Sequence, residues 1–457
     1  MAIPPARPMT LASLADELAS GRLTSRALIE QCLERAEGSR HQGNVAFISI
    51  DADRVRADAD AADEARRQGR AASPFTGIPV SIKDLFDVEG EVTTAGSRIF
   101  AGNPPAAADA APVARLRAAG FIPFGRANMT EFAFSGLGMN AHYGDPASPW
   151  QRDVGRVSGG SSSGGAVSVA EGIVPLTLGT DTGGSCRIPA ACCGITGYKP
   201  TASRVPQDGT VPLSKSLDSI GPLANSVACC ASAFAVLAGE RAKELQARPV
   251  SGLKLGVLRN FVLDGMDSVV SEAFENALQK LSAAGAEFAD VTFTPIDRLP
   301  EINVRGGLAT AEAFQFHAQF IKDREAQYDQ RVASRIRRAE AQQEGEYEHL
   351  LQERARMIGQ AVEAFAPYDA IVMPTIPVVP PRFADCAEDA DYIRNNFLLL
   401  RNPSVGNWLD RCGISLPMTP HGEAPAGFML MGKAGEDEAL FGIAAGVEDV
   451  LRSAMGR

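Results

Sequence analysis

The sequence predicts an α/β fold, with a mixed or parallel sheet sandwiched between helices, and two observations carry that expectation. Between about residues 75 and 235, β-like runs at 78–82, 121–124 and 173–178 alternate with helical stretches at 111–119 and 165–171. A second β-α-β pattern follows, with runs at 253–258 and 287–293 around a helical stretch at 271–284, and it is expected to extend the same sheet.

From the N-terminus, Thr10 can cap a helix over 11–20, Gly21 breaks it, and Thr24 or Ser25 can cap a second helix that runs to residue 37. This helical hairpin, about 10–37, reads as scaffold. Residues 308–366 are rich in Ala, Glu, Gln and Arg and poor in Gly and Pro, the composition of long helices with a solvated charged face. They form a helical insertion at about 306–366. A strand is expected at 368–375, and the proline-rich stretch 374–381 cannot continue it because each proline removes a ladder donor. With no repeat and no low-complexity tract, residues 1–457 read as a single domain whose catalytic core spans about 75–235.

Composition narrows the function classes. A hydrophobic content of 45% and a charged content of 22% suit a globular chain, and the net charge of −11 repels nucleic-acid phosphates and anionic lipid heads. No run of about 18 apolar residues could span a membrane, and residues 1–8 lack the apolar core of a leader, so a cytoplasmic location is expected. The eight cysteines contain no CxxC pair and read as reduced thiols. The five histidines, His41 among them, are scattered singly, so no metal is expected.

The chemistry concentrates in two Gly/Ser clusters, Gly159-Gly160-Ser161-Ser162-Ser163-Gly164-Gly165 and Gly179-Thr180-Asp181-Thr182-Gly183-Gly184-Ser185-Cys186-Arg187-Ile188-Pro189-Ala190. Glycines let the backbone approach a ligand, and the serine hydroxyls are the nucleophiles at hand. Flexible linkers would not bracket the apolar run 166–178. Three neighbouring motifs fall away. Gly160 to Gly164 spells a G-x-S-x-G elbow, but the polar stretch 151–158 precedes it where that elbow needs a buried strand. Gly136-Leu137-Gly138-Met139-Asn140-Ala141 is a loose dinucleotide fingerprint without its acidic partner, and no glycine run ends in Gly-Lys-Ser/Thr.

These clusters, with Gly77-Ile78-Pro79-Val80-Ser81-Ile82-Lys83-Asp84 upstream, resemble the amidase signature family. Gly194-Ile195-Thr196-Gly197-Tyr198-Lys199-Pro200-Thr201, Leu217-Asp218-Ser219-Ile220-Gly221-Pro222, Ala424-Pro425-Ala426-Gly427-Phe428 and Asp437-Glu438 continue the likeness, which is weakest over 240–365. The resemblance implies a central mixed sheet of many strands covered by helices on both sides. It also implies a C–N hydrolase without cofactor, with Ser185 as nucleophile, Ser161 as bridging serine after a cis peptide, and Lys83 as base.

A lysine can take a proton only when neutral, and burial beside Ile78, Val80 and Ile82 would lower its pKa. In this reading Ser162 hydrogen-bonds the lysine, and Ser163 stands where many members have glycine. The backbone N–H groups of Thr182, Gly183, Gly184 and Ser185 would form an oxyanion hole. Asp181 and Arg187 would make a structural ion pair, the alternative being that Arg187 binds a substrate carboxylate. Cys186 reads as packing. Met129 would line the acyl pocket or belong to the core. The substrate is a small amide, with carbamates, ureido acids and aryl esters sharing its carbonyl geometry; oligomeric state is open, a homodimer included. The rival is a glutaminase resembling the ammonia-liberating component of glutamyl-tRNA(Gln) amidotransferase, although Asn407-Trp408-Leu409-Asp410-Arg411-Cys412 looks closer to free-standing amidases and carboxybiuret or allophanate hydrolases.

Overall fold

The computed structural model describes residues 9–38 and 42–453; residues 1–8, on which the expectation about a leader rests, and His41 lie outside the described residues. Eleven strands form one sheet: β1 Phe47–Ser49, β2 Pro79–Lys83, β3 Ile122–Ala127, β4 Leu176–Thr180, β5 Thr196–Lys199, β6 Ile220–Ala224, β7 Lys254–Leu258, β8 Glu287–Val291, β9 Ala370–Pro374, β10 Gly413–Pro417 and β11 Gly427–Met431. Their order is β1-β3-β2-β4-β6-β5-β10-β11-β9-β7-β8. The sheet is mixed: β2 runs parallel to β3 and β4, β7 runs parallel to β8 and β9, and the pairs between these two groups are antiparallel.

Burial follows position in the sheet. Every residue of the central strands β2, β4 and β6 is buried, because helices cover both faces and leave no wet side for alternation. At the edge, β8 exposes Glu287, Ala289 and Asp290. Charges there discourage pairing with another chain. The β7-helix-β8 unit joins the same sheet through β9, with the helix Ser268–Ala283 capped by Asp267.

Thr10 and Thr24 cap the helices Leu11–Ala19 and Ser25–Glu37, their side chains accepting from the amides of Ser13 and Ala27. The helical stretch at 308–366 is broken into Gly307–Arg324, Gln330–Arg337 and Glu346–Phe365. Asp329 caps the second and Gly345, at φ 77°, admits the chain to the third. The helix Asp389–Trp408 contains Pro403, the kind of residue that argues against a helix in a sequence. No helix among the described residues is long and apolar enough to cross a membrane.

Candidate active site

Lys83 is the last residue of β2, and Thr180 the last of the neighbouring parallel strand β4. Parallel pairing, with Ile82 opposite Leu178, brings both side chains to the same carboxyl edge, where open α/β sheets place their ligands. Lys83 is 1% exposed, and its Nζ donates to Ser161 Oγ at 2.8 Å and Thr180 Oγ1 at 2.7 Å. Burial lowers its pKa to about 8, against the opposing pull of Cys186, Asp218 and Asp181. The peptide between Gly160 and Ser161 is cis. At Gly160 a Cβ would stand 2.6 Å from the Gly138 amide nitrogen, so glycine is what lets the two loops touch.

Ser161 opens the turn into the helix Ser163–Ala170, and the next amide, Ser162, donates to the Ser185 carbonyl at 3.4 Å. The two serine clusters are thereby tied together. Ser185 is 2% exposed and reaches the floor of a cleft of about 920 Å³, beside Thr182 and Gly183. Phe134, Leu213, Leu217 and Leu400 supply apolar wall.

Asp181 organises the loop that carries Ser185. Its Oδ1 accepts from the Gly184 amide at 2.9 Å and from Arg187 Nη2 at 2.8 Å; its Oδ2 accepts from the Cys186 amide at 3.1 Å and from Arg187 Nε at 3.0 Å. Asn407, from the Asp389–Trp408 helix, adds a bond from Nδ2 to Oδ1 at 2.9 Å. Burial pushes the Asp181 pKa up, but the charge and hydrogen bonds of Arg187, with Lys199 and Asn407, outweigh it and hold it at about 2. Arg187 is fully buried, its Nη2 also reaches Asn407 Oδ1 at 2.8 Å, and it is not among the residues that line the cleft. Gly184 has φ 127°, and a Cβ there would meet Pro403 at 2.6 Å.

Three details differ from the sequence-based expectations. Gly184 was expected to point its amide at an oxyanion, yet Asp181 holds that amide; among the described residues the amides of Thr182, Gly183 and Ser185 are the unpartnered ones in this loop. Ser162 does not bond the lysine: its Oγ donates to the Thr180 carbonyl at 3.5 Å, and the lysine's second partner is Thr180 itself. Met129 is fully buried in the core and is not among the residues lining the cleft, as the packing alternative expects. Cys186 is buried with its thiol pushed well up by burial, consistent with packing.

Two residues of the site gain a role that residue type and spacing do not assign. Thr180 is one. The other is Asp218, whose carboxylate accepts from Thr182 Oγ1 and from the amides of Leu213 and Ser214, the two amides each at 3.0 Å, fixing the loop beside Ser185. Burial raises the Asp218 pKa to about 6 against those hydrogen bonds. A signal for both was present, since each lies inside one of the motifs that carry the family resemblance.

A mixed sheet of this order, with a buried lysine and two serine loops at its edge, defines a class of hydrolase, and the amidase family profile matches residues 27–441. The chain belongs to the amidase signature family and is a C–N hydrolase of the amidase type. Along most of its length it is similar to 2-amino-5-chloromuconic acid deaminase of Comamonas testosteroni, 37% identical over 97% of this chain and 96% of that protein. A glutamyl-tRNA(Gln) amidotransferase subunit of Chloroflexus aggregans is 41% identical over 62% of this chain and 60% of its own length. Among solved structures, a crystal structure of an amidase superposes with a TM-score of 0.86 at 32% identity, covering 96% of this chain and 99% of that one.

Proposed function

We propose that the chain hydrolyses small amides, and carbamates of the same carbonyl geometry, through an acyl-enzyme on Ser185, and that residues 1–457 act as one catalytic domain. The observation that carries this reading is the 2.8 Å contact between Lys83 Nζ and Ser161 Oγ, with the lysine buried and its pKa lowered to about 8. Near neutral pH that leaves about one lysine in ten uncharged and able to accept a proton.

Neutral Lys83 draws the proton of Ser161, which takes that of Ser185 as its Oγ bonds to the substrate carbonyl carbon. The resulting oxyanion is held by the free amides of Thr182, Gly183 and Ser185. When the tetrahedral species collapses, the C–N bond breaks and the proton returns through Ser161 to the leaving nitrogen. Water then attacks the acyl-Ser185 carbonyl, delivers its proton along the same path, and releases the acid. Thr180 and Asp218 position Lys83 and the oxyanion loop respectively.

The test is a chromogenic panel of anilides, carbamates and esters, with Ser185→Ala as control and a fluorophosphonate probe to label the nucleophile. Turnover that survives in Ser185→Ala, or label found on another residue, refutes the assignment.

A further inference from the structure

Four arginines line the cleft, Arg331, Arg335, Arg338 and Arg401, and three of them are engaged. Arg331 Nε donates to Asp389 at 2.9 Å, Arg338 Nη2 donates to the Val304 carbonyl at 2.7 Å, and Arg401 donates to the carbonyls of Asp264 and Val262 at 2.6 and 2.9 Å. Arg335 has no hydrogen-bond or ion-pair partner among the described residues, and its Nη1 is both buried and unpartnered. Its guanidinium carbon lies 4.5 Å from the centroid of the Phe134 ring.

The carboxylates that line the cleft do not neutralise it. Asp145 accepts from the Asn140 amide at 2.8 Å, Asp329 from the Arg331 amide at 2.8 Å, and Asp389 pairs with Arg331. A guanidinium nitrogen withdrawn from water without a partner is costly, and burial disfavours the charge of the group further. The helix that carries it is anchored at its start. The helix Gln330–Arg337 begins at Asp329, whose amide donates to the buried Glu131 Oε2 at 2.8 Å, while Glu131 Oε1 receives Ser97 Oγ at 2.6 Å.

Exposed apolar side chains also gather at this cleft. Val304, Ile393 and Phe397 are three of the six large hydrophobic side chains exposed on the described surface, and all three line this cleft. Ile393 and Phe397 stand one turn apart on the Asp389–Trp408 helix and are 64% and 47% exposed.

We propose that Arg335 anchors a carboxylate of the substrate while Val304, Ile393 and Phe397 receive an apolar portion of the same molecule, so that the cleft selects amides carrying both. The inference rests on the reading of Ser185 as the nucleophile in that cleft. The guanidinium fork matches a carboxylate in two parallel hydrogen bonds, and its face stays on Phe134 while it does so. The apolar side chains lose water contact only when the substrate is in place, which adds affinity to that supplied by the anion.

Two matched substrate series test this: aryl monoamides of dicarboxylic acids against their methyl esters, and the same acids as anilides against methylamides. The wild-type protein is expected to favour the free acid over the ester at least about tenfold in kcat/KM. Arg335→Met should remove that preference through KM, cutting the acid far more than the ester, and Arg335→Lys should restore part of it. Phe397→Ser should shrink the anilide preference and leave the acid preference in place. Calorimetry of an arylalkanoate with Ser185→Ala protein reads the anion site without turnover. A wild-type preference for the ester, equal losses on acid and ester in Arg335→Met, or arylalkanoate binding unchanged in Arg335→Met would each overturn the proposal. Binding through Arg335 in a chain that turns over nothing would sink the Ser185 reading instead.

Discussion

Lys83 and Thr180 are 97 residues apart in the chain, yet Lys83 Nζ and Thr180 Oγ1 lie 2.7 Å apart because β2 and β4 run parallel and end together. The lysine is thus fixed from two sides, by Ser161 and by Thr180. In the proposed mechanism one contact is with the group that exchanges protons and the other orients the lysine.

Thr180→Val keeps the volume and removes the hydroxyl. We expect kcat to fall roughly tenfold to a hundredfold with little change in KM, as when a base is left in place but loosely aimed. Thr180→Ser should stay near wild type. A threonine that merely packs would tolerate valine, so unchanged kcat in Thr180→Val refutes the role.

The Lys83 pKa gives two linked expectations. Activity should rise with pH along an acid limb centred near 8 and stay high above it, because the neutral lysine is the active form. Stability moves with it. The folded value lies below the unfolded one, so the folded state carries the full penalty below about pH 8 and sheds it as pH approaches 10.5. The lowering from 10.5 to about 8 corresponds to about 3 kcal/mol. Lys83→Met should therefore abolish turnover while raising the melting temperature at pH 7, with the gain shrinking toward pH 10.5. A destabilised Lys83→Met would show that the lysine's hydrogen bonds outweigh its burial.

Breaking the Asp181–Arg187 pair acts the other way. Both side chains are fully buried, so Arg187→Met leaves a carboxylate without its cation and should cost about 3–5 kcal/mol, read by urea unfolding. The Asp181 pKa is depressed from 3.8 to about 2, so the pair's contribution is complete above pH 3.8 and is lost as pH falls through about 2. The variant's deficit should shrink in that acid window. If Arg187→Met unfolds like wild type at pH 7, the pair is not holding the loop.

What the sequence disclosed and withheld follows from range. The caps at Thr10 and Thr24 are local, made within three residues, and were legible as such. Lys83 and Ser161, which lie 2.8 Å apart, were singled out by motifs that resemble the amidase signature family. Thr180 was not, since its partner is decided by strand register, which no single segment contains. The Gly184 amide was misjudged because the acceptor that claims it is a side chain, and loop curvature decides whether Asp181 or a substrate receives it. Met129 turned on burial alone. Arg335, in a charge-rich stretch, read as solvated surface until the cleft placed it.

The final expectation concerns autonomy: the purified chain should hydrolyse aryl amides or carbamates by itself, without a partner protein, tRNA or ATP. Lys83 and Ser161 are in contact, the Ser162 amide bonds the Ser185 carbonyl, and Thr182, Gly183 and Ser185 line the cleft, all within this chain, so in the proposed mechanism water can complete deacylation there. A glutaminase working within a complex should instead prefer glutamine and be stimulated by its partner. Hydroxylamine separates the steps, because it competes with water for an acyl-enzyme and should divert part of the product to hydroxamate at an unchanged rate of amine release when acylation is limiting. Hydroxamate formation should vanish in Ser185→Ala. A chain inert on the whole panel that becomes an efficient glutaminase only when a partner is supplied would overturn the autonomous reading and keep the triad.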